Sequence, residues 1–331
     1  MNAPRTRVQR RPVHGVLLLD KPLGWSSNDI LQKVKWLLRA EKAGHTGTLD
    51  PLASGVLPLC FGAATKFSQL QLEAEKTYEA IARLGQTTTT ADAEGDVVLE
   101  RAVDLSSITP ERLAAVQAQF SGPIKQVPPM HSALKKDGKA LYEYARAGIE
   151  IERPARDVTI HALDLTLTQD DQAQPAIKMR VTCSKGTYIR TLGEDVGEAL
   201  GCGAHLRFLR RVDTGGLSVE RCVTLEALEA MSEDERLAQV QPADSLLHRH
   251  TPVILGEQDA ARFLSGLRRR GPWPDTAAVA VYGDKPRALL GVGHVVGGEL
   301  IPDRLLSPLE IAQILEAEAA RDWAGKEVVH E

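Results

Sequence analysis

The chain lacks most of the features that mark a membrane, secreted or metal-bound protein. Its 331 residues contain no apolar run near the ~18 residues that a membrane-spanning helix needs. The four cysteines, Cys60, Cys183, Cys202 and Cys222, are too few and too scattered for a disulfide scaffold, and none forms a Cys-x-x-Cys pair. Cys202 and His205 lie three apart, but no second close pair completes a zinc site. No metal is therefore expected, and the thiols are expected to be reduced. Met1 to Pro12 carry Arg5, Arg7, Arg10 and Arg11 without an apolar segment, so they read as a basic, flexible arm rather than a secretory signal. A cytoplasmic location is the expectation. There is no internal repeat, no long low-complexity tract and no glycine-rich loop of the kind that cradles nucleotide phosphates.

An overall positive charge is also missing: the formal net charge is −4. The distribution is uneven, however. Residues 1–66 carry a net +6, 67–120 a net −5, 121–211 a net +3 and 212–331 a net −8. Positive charge thus gathers on two stretches of the chain, and such local fields attract polyanions. The 43% hydrophobic and 25% charged content is that of an ordinary globular protein, with length for one large domain and one small one.

The hydrophobic pattern mixes α and β elements. Strands are expected at His14–Leu19, Val56–Phe61, Thr77–Leu84, Val158–Leu167, Ile177–Cys183 and Leu206–Val212. Ser26 or Ser27 can cap a helix with Ile30, Leu31, Val34, Leu37 and Leu38 on one face. Thr109-Pro110-Glu111 starts another helix that runs to Phe120. Thr187–Leu200 is amphipathic and stops at Gly201. Pro242 to Thr251 reads as a junction. Short β runs follow at Val279–Tyr282 and Ala288–Val292, then a last helix from Ser307. The expected domains are 1–12 (arm), 13–245 and 250–331.

The richest string is Gly44-His45-Thr46-Gly47-Thr48-Leu49-Asp50-Pro51-Leu52-Ala53-Ser54-Gly55-Val56-Leu57, which puts one carboxylate at the end of a glycine-punctuated loop. An isolated Asp-Pro is usually only a turn. The whole string, however, closely resembles the catalytic motif of the pseudouridine synthases that act on the T loop of tRNA. Further segments match that family in order: Gly15–Ser27 its opening strand and Lys-Pro turn, Lys76–Ala80 its tyrosine strand, and Thr87–Gly95 its Thr/Asp/Gly loop. Pro128–Lys135 and Lys139–Gly148 are similar to its RNA-gripping insertion, and Cys183–Leu192 to its arginine motif. The matches span about Val13 to Leu225. One position departs: His131 stands where the family usually shows Tyr.

The resemblance implies an α+β fold: a mixed, largely antiparallel sheet with flanking helices and an insertion near 126–156. Residues 250–305 look more loosely like the family's small RNA-binding, PUA-like β-barrel; a generic β domain fits that stretch equally well. The implied reaction is isomerisation of uridine to pseudouridine at position 55 of tRNA. It breaks a C–N bond and makes a C–C bond without redox or energy input, so no cofactor is expected. Asp50, Tyr78 and Arg190 are the implied catalytic residues. Asp50 could add to sugar or base, or shuttle protons. Tyr78 offers a face for a base flipped from its stack. Arg190 could pair with Asp50. Tyr188 would share the face of Arg190 if that stretch is extended, and Leu209 aligns beside the uracil or belongs to the core. His45 could fill the hole left by the extruded base. Asp92 belongs to the implied substrate-binding set, and Lys21, Lys66, Lys135, Lys136 and Lys139 are candidate phosphate contacts. The expected partner is the tRNA T stem-loop, engaged by a monomer with no guide RNA or obligate protein partner. The guide-RNA-dependent branch of the family fits less well, because the chain lacks long basic extensions. A non-catalytic RNA-binding protein is disfavoured by Asp50, Tyr78 and Arg190 occurring together.

Overall fold

The computed structural model describes residues 9–327. Its framework is a ten-stranded mixed sheet and a second sheet of five strands. Along its main path the first sheet runs Val223–Thr224, Gly15–Lys21, Ala53–Phe61, Ala204–Thr214, Lys76–Leu84, Pro175–Cys183, Arg156–Gln169 and Gly122–Gln126. Most neighbours are antiparallel. The exceptions are Gly15–Lys21 with Val223–Thr224 and Ala53–Phe61 with Ala204–Thr214, which run parallel.

Gly15–Lys21 and Ala53–Phe61 are buried on both faces, which is why they read as continuous apolar runs rather than alternations. In Gly15–Lys21, Leu17 and Leu19 face a core formed with the helices Ser27–Leu37 and Ile189–Ala199, while Val16 and Leu18 face a second core. Lys76–Leu84 behaves differently: Tyr78, Ala80, Ala82 and Leu84 are buried, and the alternate residues are half-exposed. That two-residue period puts Lys76 and Tyr78 on one face.

Helix limits follow local chemistry. Ser26, not Ser27, caps the first helix by accepting from Asp29 N at 3.1 Å. Thr109 caps Pro110–Gln119, with Pro110 at the first helical position. The helix expected over Thr187–Leu200 spans Ile189–Ala199, and Gly201 follows its last turn with φ +86°. Its Gly193 and Gly197 allow close approach to Ala204–Thr214: a Cβ on Gly197 would lie 2.4 Å from Ala204 Cβ. The hairpin of Gln86–Thr88 with Val97–Glu100, the edge strand Gly122–Gln126 and the helices Leu225–Ala230, Glu233–Ala238 and Glu257–Leu264 were not foreseen. They are short or lack a clean period.

The C-terminal sheet runs Thr251–Leu255, Thr276–Gly283, Ala288–Val296, Glu299–Leu305 and Arg269–Arg270, curving into a half-barrel. It does not hang from a free linker. Ala243–Leu247 in the junction forms a 3₁₀ turn, and Ala243, Leu246 and Leu247 join Val16, Leu18, Val56 and Phe67 with Ala280, Leu289, Val292 and Leu306 in one core. Two polar ties reinforce the contact. Lys66 Nζ reaches Glu310 Oε2 at 2.6 Å and Leu305 O at 3.0 Å, and the Tyr282 hydroxyl donates to Asp244 at 3.1 Å. Lys66 therefore joins the two parts of the molecule rather than standing free as a phosphate contact. The final helix begins at Pro308, with Ser307 and Glu310 bonding reciprocally at its start.

The first eight residues of the basic arm lie outside the described residues. Arg10 and Arg11 are described and fold back, donating to Ala40 O and Leu38 O, and Arg11 also pairs with Glu233.

Gly55 gives a direct test of the packing beneath the Asp50 loop. Its φ is +104°, and a Cβ there would stand 2.1 Å from Arg211 O; Gly24 has φ +80° but open space around it. Gly24→Ala should lose about 1–2 kcal/mol from backbone strain alone, whereas Gly55→Ala should lose more than about 3 kcal/mol because the strands must part. Equal denaturation midpoints for the two variants would contradict this packing.

Candidate active site

Asp50 is held by its neighbours before it meets any partner. Ser27, free of capping duty, is 2% exposed, and its Oγ donates to Leu49 O at 2.9 Å and accepts from Leu49 N at 2.8 Å. This closes both backbone valences of the residue before Asp50. On the other side, Ala53 N returns to Asp50 O at 3.0 Å, forming a turn with Pro51 at its second position. The carboxylate is thereby fixed at the mouth of a cavity of about 490 Å³. Asp50, Tyr78, Arg190, Tyr188, Leu209, Lys76 and Arg211 all contribute to its wall.

Arg190 organises this site. Its side chain is 5% exposed and its Nη2 lies 2.9 Å from Asp50 Oδ2. The same nitrogen donates to His131 O at 2.7 Å, while Nη1 donates to Thr90 O at 3.0 Å and faces Asp92 Oδ2 at 3.4 Å. The two terminal nitrogens thus donate to two backbone carbonyls and each faces one carboxylate. Such a fixed fork suits Arg and not Lys. Asp92 is itself 2% exposed and takes Thr90 Oγ1 at 2.5 Å and Glu94 N at 3.0 Å. Its carboxylate is thus buried beside Arg190, and it is absent from the residues that line the cavity.

The Asp50 carboxyl is pushed above its ordinary value. Loss of solvent is the larger cause, Arg190 opposes it, and the nearby Asp92 charge adds to the rise. Tyr78 is 8% exposed, and burial likewise raises its hydroxyl while the Arg211 guanidinium pulls it down.

Tyr188 and Arg190 do not share a strand face. Tyr188 is the extended residue that precedes the helix, and Arg190 is the second helical residue. Both still line the cavity, because Gln126 fixes the entry. Its side-chain amide accepts from Tyr188 N at 3.0 Å and donates to Tyr188 O at 3.2 Å. His131 contributes its backbone carbonyl to Arg190, so the departure from Tyr leaves this contact intact.

Lys21, a candidate phosphate contact in the sequence, lies inside the protein. It is fully buried, its Nζ donates to Pro22 O at 2.9 Å and Trp25 O at 2.7 Å, and burial pulls its pKa down to about 8. His45 sits on the short strand Ala43–His45 and is not part of the cavity wall; desolvation, with Arg211 nearby, lowers its imidazole pKa. Leu209 is 6% exposed and lines the cavity, combining the two placements expected of it. Lys135, Lys136 and Lys139 are exposed on a two-stranded hairpin, and Ser132, Ala133 and Leu134 just before it close one side of the cavity.

Two cavity cations escaped notice in the sequence. Lys76 is 8% exposed and donates to Leu72 O at 3.1 Å and Ala74 O at 2.6 Å. Arg211 is 1% exposed and donates to Val56 O at 2.9 Å and Gly47 O at 3.3 Å. The available signal was register: one period-2 face of the tyrosine strand carries Lys76 and Tyr78, and a second strand brings Arg211 opposite Tyr78.

The electrostatics can be tested by titration. A carbon-13 label on the Asp50 carboxyl should report a midpoint above that of an exposed aspartate. Arg190→Gln should move it further up, because the opposing positive charge is removed. An unshifted or lower midpoint in Arg190→Gln would contradict the assignment of causes.

Two family models match consecutive stretches of the chain: TruB family pseudouridylate synthase (N terminal domain) over residues 35–189 and tRNA pseudouridylate synthase B C-terminal domain over 190–248. A tRNA pseudouridine synthase B from Verminephrobacter eiseniae (strain EF01-2) is 70% identical over 323 residues, 98% of each chain. Its namesake from Ralstonia nicotianae (strain ATCC BAA-1114 / GMI1000) is 61% identical over 302 residues, 90% of this chain and 95% of the relative. Among solved structures, a chain of a Cbf5–Nop10–Gar1 complex superposes with a TM-score of 0.67 at 26% identity, covering 90% of this chain and 86% of that one. A chain of the archaeal box H/ACA sRNP Nop10–Cbf5 complex gives 0.63 at 25% identity, covering 91% and 87%. Sequence relatives and fold agree, and the chain belongs to the TruB family of pseudouridylate synthases, which are isomerases.

Proposed function

We propose that this chain isomerises uridine to pseudouridine at position 55, in the T loop of tRNA, and that Asp50 is its reacting carboxylate. The observation that carries the reading is the placement of Asp50: it is partly open to a cavity and 2.9 Å from a guanidinium that is itself buried. A carboxylate so held is aimed, and the guanidinium opposes the rise in its pKa that burial causes, which suits nucleophilic or proton-transfer work. The target base has to leave its stack to reach it. Tyr78 and Leu209 then offer apolar surfaces to the base, and Tyr188 lines the same cavity. Exposed Lys135, Lys136 and Lys139 are suited to the phosphates of a folded stem-loop. No step calls for a cofactor. The enzyme is proposed to act alone, as a cytoplasmic monomer. The Cbf5 structures make a guide-dependent relative the second reading, and the assay below separates the two.

Purified protein incubated with unmodified tRNA, and separately with a T-arm stem-loop, should form pseudouridine at the one position in both without added guide RNA. No product from the protein alone would overturn the reading. Asp50→Asn should abolish turnover while tRNA affinity changes little, since affinity comes mainly from phosphate and shape contacts. The single-turnover rate should fall on acidification as the carboxylate becomes protonated, with a midpoint above that of an ordinary aspartate because burial raises it. Arg190→Ala leaves Asp50 without its opposing charge, and Arg190→Lys keeps the charge but loses the planar fork. The rate of Arg190→Ala should drop more than that of Arg190→Lys, and neither variant should bind tRNA much more weakly. A normal rate at saturating tRNA would remove Arg190 from the catalytic set.

A further inference from the structure

Arg211 is a buried charge with an incomplete set of partners. It is 1% exposed, and among the described residues it forms no ion pair with a carboxylate; its acceptors are the carbonyls of Val56 and Gly47. Buried cations are ordinarily paired with an anion. The register places Arg211 directly opposite Tyr78 on the neighbouring antiparallel strand, and the guanidinium is within hydrogen-bonding reach of the Tyr78 hydroxyl. Among the groups near Tyr78 that can carry negative charge, Asp50 is already paired with Arg190 and burial holds the Cys183 thiol up at about 11, which leaves the phenol as the partner that faces Arg211 across the strands. Lys76, two residues before Tyr78 on the same face, adds a second cation.

The chemistry leaves a task for such a pair, provided that the chain isomerises uridine as proposed above. Once the N1–C1′ bond has broken and C5 has bonded to C1′, the ring still carries the hydrogen on C5 and none on N1. One proton has to leave C5 and one has to arrive at N1. A phenol that gives its proton to N1 and takes the proton from C5 ends as it began, with no external acid or base. Between the two transfers it is a phenolate, and that charge needs a fixed counter-charge.

We infer that Arg211 is a positioning residue that makes Tyr78 the proton carrier of the reaction: it anchors the tyrosine hydroxyl to the carbonyl of Gly47, at the head of the Asp50 loop, and balances the charge the hydroxyl acquires. Gly47 is suited to this contact. Its φ is +86°, and a Cβ built there would lie 3.5 Å from Arg211 Nη1 and 3.7 Å from Lys76 Cε, so the loop lies against both cations.

The test is single-turnover pseudouridine formation on a T-arm stem-loop carrying either ordinary uridine or 5-deuterated uridine at the target. Arg211→Gln, Arg211→Lys, Tyr78→Phe and the double variant Arg211→Gln/Tyr78→Phe would be compared, with thermal melts run on all. Arg211→Gln and Tyr78→Phe should each slow the reaction on the order of 10²-fold, the usual range for losing acid–base help. The deuterium effect should grow in Arg211→Gln, because loss of the C5 proton becomes limiting. The double variant should be no slower than the slower single one, since Arg211 acts through the hydroxyl. Arg211→Lys, which keeps the charge, should recover part of the rate and fold normally even where Gln destabilises. Multiplicative losses in the double variant, or a slow Arg211→Gln with an unchanged isotope effect, would overturn the inference and reduce Arg211 to a structural tie. Wild-type protein that forms no pseudouridine would instead count against the proposed reaction itself.

Discussion

The site depends on how one guanidinium divides its hydrogens. Arg190 serves Asp50 from the glycine loop, Thr90 and Asp92 from the threonine-rich turn, and His131 from the insertion. Segments that are about forty residues apart in sequence meet on a group about 3 Å across. The arrangement works because the guanidinium is planar and its donors point in fixed directions. Asp50 shares this guanidinium with a second carboxylate, and burial holds its carboxyl above the ordinary value in spite of its partner. The balance between burial and pairing sets the character of that carboxylate.

Much of this precision is created behind the visible site. Gln126 copies a peptide group in binding Tyr188, and so fixes the first turn of the helix that carries Arg190. Gly193 and Gly197 let that helix lie against the strand that carries Leu209 and Arg211. Ser27 performs the same service for Leu49. Each of these side chains satisfies buried backbone polar groups or removes bulk, and none is recognisable as functional by residue type alone.

That division explains what could be read from the sequence. The apolar strands Gly15–Lys21 and Ala53–Phe61, the capped helices and the motif residues Asp50, Tyr78 and Arg190 are legible because local chemistry or a contiguous string specifies them. The lysines were harder, because residue type says only that a charge is present. Lys21 looks like Lys135 on paper, yet it is sealed between carbonyls while Lys135 stands in solvent. Lys66 is spent on Glu310, 244 residues away. Arg211 was hidden for a related reason: its meaning lies in a cross-strand register with Tyr78 that becomes apparent only when the strands between and around them have been placed.

The core shared by the two sheets has a consequence for how the chain reaches this state. Val16, Leu18, Val56 and Phe67 are made early, but Ala280, Leu289, Val292 and Leu306, which cover them, are made last. Leu217 and the junction residues Ala243, Leu246 and Leu247 cover part of the back of the first sheet, and the residues of the second sheet complete that cover only after more than 200 further residues beyond Phe67. The half-barrel acts as its late-arriving lid. A chain interrupted before residue 280 would hold every residue that lines the cavity and still lack part of the cover on its reverse side, the kind of exposed apolar surface that favours association before folding is complete.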